Sequence, residues 1–519
     1  MNEQNDLIKK LFCSISKNTW ICLTSGVISG VISHLYMLTN KLPNWDDLTV
    51  FGIFGVGAEN GRWMIPILHE VGSKWSVPAL NGMLAVLFFS VSACFMLEVL
   101  EMKSMTSAVI FPFIMLTFPS VACTMSFMYL ADIYAIGLVF GCAGAWLIRK
   151  YRYGWFPGIG LLVMSIAIYQ SYICFAAGIL VFALILDLFR KKEFNQVIYK
   201  GIVSLGSLMG SMGVYVIVSK YVIGGLQSYK GIDKMGEINL LKVPRLIGRA
   251  YKRILEFFVT KPWGYVSETG KIVNLLTVFI IVIGFFFLLW YLRIYKDKSR
   301  TILLGILIVL FPLALGSIYV IAEDANSTLL LIHQYVLIYL IPLGFLELFM
   351  ENRTPQEMRP MRIKQLVGML MLAIVFIVGY DNYVLTNDAY FRMDIAFKRI
   401  NSFYERLYIR VAEQEGYQYG DQIAILGDWW PERNILSACK IGIERYDDME
   451  GIAMENGLFT TGVRNDFLRI YLGIQFDKTL TVDKMIELTK TEEFLEMPCY
   501  PTEGCVQEME GIWVIKVAD

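Results

Sequence analysis

Charge is what this chain has least of. Asp, Glu, Lys and Arg make up only 18% of it, and the basic and acidic counts are equal at 46 each, so net charge points to no polyanionic partner and to no nucleic acid. Histidine occurs three times in 519 residues. No nucleotide-binding glycine motif, low-complexity stretch or internal repeat is visible, which removes the phosphate-cradling loop of nucleotide enzymes and the repeat symmetry of many transporters. What fills the chain instead is apolar: 56% hydrophobic and 14% aromatic, with a mean hydropathy of +0.53, too apolar for a soluble enzyme of this length.

Runs of about 20 apolar residues recur, the length a helix needs to cross the hydrocarbon layer. The reading is an α-helical polytopic membrane protein with about eleven spans. They lie at Trp20 to Leu38, Pro78 to Leu97, Met105 to Val121, Ser126 to Ile148, Trp155 to Tyr169, Ser171 to Leu188, Gly201 to Ile223, Ile272 to Leu292, Thr301 to Ile321, Leu329 to Phe349 and Gln365 to Leu385. Lys9, Lys10 and Lys17 precede the first, but no small-residue cleavage site follows it, so it reads as uncleaved. With the N-terminus inside, the inner loops receive Lys103, Arg149, Lys150, Arg152, Arg190, Lys191, Lys192 and the cations of 293–300 and 353–364. The outer turns near Ser120, Gln170 and Asp324 receive none. An odd number of spans then places the tail outside. The division is 1–386 as the transmembrane domain and 387–519 as a small extracytoplasmic α/β domain. In the tail Asn387 to Gly416 reads as an amphipathic helix, and Gln422–Leu426 and Gly511–Val517 as strands.

Six of the nine cysteines, Cys13, Cys22, Cys94, Cys123, Cys142 and Cys174, lie in or beside spans and read as small buried hydrophobes. Cys499 and Cys505, in a proline-flanked turn of the outer tail, are placed to form a disulfide.

Between the first two spans runs Asn44-Trp45-Asp46-Asp47, then Glu59-Asn60-Gly61-Arg62-Trp63, then His69-Glu70. Asp46 and Asp47 read either as catalytic carboxylates or as the N-cap and first-turn acid of a helix from Leu48. Other polar residues also fall at outer ends of spans: Asp132, Gln170, Tyr172, Lys220, Glu323, Asp324, His333 and Gln334. The bland reading of His333 is packing, and of Gln170 a capped turn. The inner half of the bundle shows no comparable set. The outer loop Gly224 to Lys271 is unusually basic, and Leu240 to Phe258 alternates an apolar face with a face carrying Arg245, Arg249, Lys252 and Arg253. That describes a helix in the interface plane, either a solvated basic face near acidic lipid or a holder of a phosphate head group.

An acidic outer loop, an intramembrane Asp and a basic interfacial helix at one face suit transfer from a lipid-borne donor. A carboxylate takes the proton of an acceptor hydroxyl, and cations stabilise the departing phosphate. A divalent ion is not expected, because a lipid phosphate needs less neutralisation than a nucleotide diphosphate, and no cofactor is invoked.

His34-Leu35-Tyr36, Asn44-Trp45-Asp46-Asp47, Gly61-Arg62-Trp63, Pro78-Ala79-Leu80-Asn81-Gly82, Tyr169-Gln170-Ser171-Tyr172 and the ending Met497-Pro498-Cys499-Tyr500-Pro501 with Gly511–Val517 resemble the Gtr-type serotype-conversion glucosyltransferases. The resemblance implies a GT-C architecture in the bacterial plasma membrane and a polyprenyl-phosphate-sugar donor. It also implies a glycan acceptor outside, O-antigen being the family's best-known one. By that analogy Asp46 or Asp47 is the base, Arg62 orients the loop or a phosphate, and Asp132, Gln170 and Glu323 line the sugar pocket. Glu59, His69, Tyr172 and His333 join them as candidate substrate contacts, and Lys220 joins the basic helix as a lipid-phosphate contact. The competing readings are a polysaccharide polymerase or ligase, which has no need of an acidic pair in its first outer loop, and a lipid-linked-sugar flippase.

Overall fold

In a membrane each backbone N–H and C=O must be bonded within its own segment, so the apolar runs have little choice but to become helices. The computed structural model describes residues 15–44, 46–47, 57–73, 75–222, 241–260, 268–322, 328–351, 358–427, 449, 451–452, 468–474 and 480–517. Among them nine helices are long and apolar enough to cross a membrane, from Lys17–Thr39 to Gln365–Ala412, and a bent pair, Met105–Thr117 with Pro119–Ser126, brings the number to ten. Side-chain oxygens close several N-termini: Ser16 accepts from Thr19 N, Ser104 from Ser107 N and Asp297 from Arg300 N, each at 3.1 Å.

Three segments depart from the sequence expectation. Met105 to Val121 is not one straight span, because Phe118 is extended before Pro119 and the two halves meet at 50°. Proline disfavours a helical residue before it and supplies no N–H. Trp155–Ile166 has 12 residues, about 18 Å of helix against a hydrocarbon layer of roughly 30 Å, and ends in the turn that carries Gln170. The last span and the amphipathic helix after it are one helix, Met358–Ala412. No glycine or proline interrupts it after Gly379.

The end of the bundle that carries Arg149 and Arg190 also corrects the sequence reading, since it holds a dense polar set. Asp187 is fully buried and receives Arg149 Nη2 at 2.9 Å and Lys192 Nζ at 2.8 Å. Lys192 also meets Glu101 at 2.5 Å, and Arg190 meets Glu351 at 3.0 Å. Glu347, also buried, accepts from Lys103 N and Ser104 N at 2.6 and 2.8 Å and from the hydroxyls of Ser104 and Ser107 at 2.6 and 2.7 Å, closing the start of Met105–Thr117.

The chain packs as two units. The first takes in the described residues up to Lys41, those from 57 to Asp388, and Met449. The second takes in Leu42, Pro43, Asn44, Asp46 and Asp47 with the remaining described residues from Ala389 onward. Its sheet has the order β1-β3-β2, with β1 Ile423–Leu426 parallel to β3 Ile512–Lys516 and β2 Val506–Met509 antiparallel to it. β1 and β3 are buried along their whole length, as apolar runs in a covered parallel pair should be. The edge strand β2, absent from the sequence reading, exposes Gln507 and Glu508. Glu510 and Gly511, both at positive φ, turn β2 into β3. Leu426, Leu488, Phe494, Ile512 and Val514 share the core beneath. No disulfide joins Cys499 to Cys505, and Cys505 is buried.

Candidate active site

The first loop is folded by two glycines. Gly57 and Gly61 take positive φ on either side of a short 3-10 turn, and Gly57 O accepts from Asn60 N at 3.0 Å and Arg62 N at 2.9 Å. This leaves the Asn60 and Gly61 carbonyls in need of donors, which the helical bundle supplies. Gln170 Nε2 donates to Asn60 O at 2.8 Å and to Tyr215 Oη at 3.2 Å, while Tyr215 Oη donates to Gly61 O at 3.1 Å. One turn further along the same helix, Ser219 Oγ accepts from Trp63 Nε1 at 3.3 Å, and Met64 N donates to Ala167 O at 3.1 Å. The loop is thus fastened to the turn after Trp155–Ile166 and to Phe194–Tyr221.

Fastened there, Arg62 enters a cradle of tyrosines. Its Nη1 donates to Tyr134 Oη at 3.2 Å and its Cζ stands 5.0 Å from the centroid of Tyr169. Tyr134 and Tyr172 each pack on Tyr169 with centroids 5.3 Å apart. Arg62, Gln170 and Tyr172 therefore belong to one cluster. Tyr134, Tyr169 and Tyr215 were not singled out as site residues by sequence reasoning. Tyr169 had a signal, in the polar break between two spans, whereas nothing local marks Tyr215.

A second group forms where the loop passes the start of Ala131–Lys150. His69 Nε2 lies 3.1 Å from Tyr129 O, which can only accept, so Nε2 carries the proton. Asp132, buried in the first turn of its helix, receives Asn81 Nδ2 at 3.2 Å, and Asn81 Oδ1 receives Val77 N at 3.0 Å. A carboxylate at a helix N-terminus is favoured by the exposed N–H groups there. Glu59 is exposed.

In the second unit Asp47 is 1% exposed and Asp46 partly buried. The helical turn that holds them is capped by Asn44, whose Oδ1 accepts from Asp47 N at 2.9 Å. The cap is thus Asn44, which leaves Asp46 and Asp47 in the place of first-turn acids, while the helix expected from Leu48 lies outside the described residues.

The basic helix, Val243–Leu255, does not lay its apolar face in lipid as the sequence suggested. Leu246, Ala250 and Ile254 are buried, a Cβ added at Gly316 would lie 3.0 Å from that of Ala250, and Tyr251 Oη donates to Val309 O at 2.5 Å. Arg253 meets Glu256 at 3.1 Å and Lys252 meets it at 3.8 Å, while Arg249 stands 5.7 Å over Tyr319. Arg245 and Lys252 are exposed, as is Lys220 in the last turn of Phe194–Tyr221. His333 is a core residue among Phe89, Phe118 and Phe175, at centroid distances of 5.6, 6.1 and 5.5 Å. That setting is the packing of its bland reading, with Nε2 buried and without a hydrogen-bond partner among the described residues. Glu323 and Asp324 lie outside the described residues.

Many apolar helices, buried polar groups and a loop pinned at one end of the bundle define a polytopic membrane protein with an organised polar site. The family model described as glucosyl transferase GtrII matches residues 35–349, and the chain belongs to that family. It is a membrane glucosyltransferase, and every site residue discussed above on sequence grounds, from Asp46 to His333, lies inside the matched segment. No curated protein and no solved structure matches it.

Proposed function

We propose that the enzyme takes glucose from a polyprenyl-phosphate-linked donor and passes it to a cell-surface glycan on the outer side of the bacterial plasma membrane, on a GT-C-like scaffold, with Asp47 as general base and Asp46 as the alternative. The acceptor oxygen attacks C1 of the sugar and its proton passes to the Asp47 carboxylate. The C1–O bond to phosphate breaks, and polyprenyl phosphate leaves with the electron pair. Phosphate is a good leaving group, so no general acid is needed. Cations that hold it provide the larger stabilisation. Arg249 and Arg245 are assigned to that task, and Arg62 to orienting the first loop. Tyr172, Gln170, His69 and Asp132 are assigned to the sugar side.

The observation that carries this reading is the burial of Asp47. A carboxylate taken out of water is costly, and here the capping need of its helical turn is met by Asn44. Donor class is tested with purified enzyme in detergent, comparing radiolabelled polyprenyl-phosphate-glucose with UDP-glucose, with and without EDTA. Transfer from the lipid donor alone, unchanged by EDTA, is expected. Transfer from UDP-glucose, or loss of activity on chelation, would overturn the donor assignment or the metal-free mechanism respectively.

A further inference from the structure

Arg62 is held from two directions, by tyrosines on two different segments. Tyr134, in the first turn of Ala131–Lys150, offers its Oη to Nη1 at 3.2 Å, and the ring of Tyr169, just after Trp155–Ile166, has its centroid 5.0 Å from Cζ. Tyr169 is itself packed by Tyr134 and Tyr172, each with its centroid 5.3 Å away. All three tyrosines are buried, whereas Arg62 is half-buried. Held by one N–H and over one ring, the guanidinium has little freedom to turn. A lysine ammonium, a point charge on a flexible stem, could not be fixed in this way. A planar fork with a set direction is what a phosphate recognises bidentately.

The turn that carries Tyr169 also opens the 18-residue helix Tyr172–Phe189, whose N-terminus has no side-chain cap. Its N-cap residue, Ser171, is fully buried, and the Oγ has no hydrogen-bond partner among the described residues. A helix N-terminus favours negative charge. A cation, a helix start and an unused buried hydroxyl thus stand at one turn.

We infer that Tyr134 and Tyr169 are positioning residues that hold Arg62 against the donor's phosphate, at the start of Tyr172–Phe189. This rests on the polyprenyl-phosphate donor proposed above and adds to the loop-orienting role of Arg62. When the C1–O bond breaks, its electron pair stays on the phosphate oxygen and the negative charge there grows. A guanidinium already fixed in place stabilises that charge without reorganising. The tyrosines exchange no proton and act through Arg62.

The test is chemical rescue of the full-length enzyme, assayed for transfer from radiolabelled polyprenyl-phosphate-glucose to envelope glycan. In Arg62→Ala kcat/KM is expected to fall about 100-fold. Guanidinium chloride at about 20 mM, against sodium chloride at the same ionic strength, is expected to recover about ten-fold. A free guanidinium ion can replace a charge at the phosphate but cannot replace a tether of the loop, so rescue separates the two roles. Adding Tyr134→Phe or Tyr169→Leu to Arg62→Ala should raise the half-saturating guanidinium concentration at least about three-fold, and Tyr169→Phe, which keeps the ring, should raise it less. An Arg62→Ala protein that melts like the parent and is not rescued would overturn the inference, as would equal rescue with and without the tyrosines. Should Arg62→Ala fold poorly, Tyr134→Phe alone carries the test: KM for the lipid donor is expected to rise about five-fold, and an unchanged KM would overturn the inference. A parent enzyme inactive with polyprenyl-phosphate-glucose removes the donor reading and the inference with it, whereas an active parent beside an unrescued variant removes the inference alone.

Discussion

Tyr215 and Gln170 satisfy two successive carbonyls of the first loop and one another, so the position of Arg62 depends on hydrogen bonds that these side chains make to the loop's backbone. Tyr215→Phe removes the bonds to Gly61 and from Gln170, at about 1 kcal/mol or more, and kcat/KM is expected to fall at least roughly five-fold. A kinetic assay of the purified variant checks this. At the opposite polar cluster, Asp187→Ala leaves Arg149, whose side chain is 5% exposed, with the longer contact to Glu101 at 3.8 Å in place of its partner at 2.9 Å. Breaking a buried pair by removing one partner costs up to about 3–5 kcal/mol, and the melting temperature in detergent should drop. Glu101 gives that cluster a pH signature. Burial pushes its carboxyl up, but the Lys192 ammonium outweighs this and holds it below its ordinary value of 4.5. A depressed folded value means stability that is present above pH 4.5 and is lost as pH falls through the folded value. Glu101→Gln should therefore melt earlier than the parent at neutral pH, and the two melting curves should converge on acidification. None of these pairings was legible in the sequence. Glu347 and Ser104 are far apart in the chain, and only the packed bundle brings a carboxylate to that helix start.

At the scale of elements, the basic helix owes its place to a small residue. At Gly316 a side chain would meet Ala250 at 3.0 Å and its carbonyl at 3.2 Å. Gly316→Val is expected to push the helix outward, lowering the melting temperature and raising KM for the lipid donor. Gly305→Ala, with open space around it, should leave both unchanged and serves as the control. The amphipathic pattern of this helix was plain in the sequence, but the pattern alone does not say whether protein or lipid covers the apolar face. The break at Pro119 is written in the proline, but it sits inside an apolar run long enough to read as one span. The length of Met358–Ala412 was hidden by a change of composition midway, since the backbone ladder continues wherever no glycine or proline stops it. β2 carries no apolar signature in the sequence, because it is an edge strand with two exposed polar residues.

For the whole molecule, the spans and the family were readable because bilayer thickness fixes the length of apolar runs and because short motifs recur in a set order. The grouping of Asn44 and Asp47 with the C-terminal tail was not, since it joins segments from opposite ends of the chain. The account stands on the carboxylate in that group. Its most direct test is the transfer rate of Asp47→Asn, measured on protein that is purified, monodisperse and melts like the parent. General-base catalysis contributes about 10²–10⁴-fold, and a loss of that size is predicted. Transfer at the parental rate by the Asp46→Asn, Asp47→Asn double variant would contradict the mechanism.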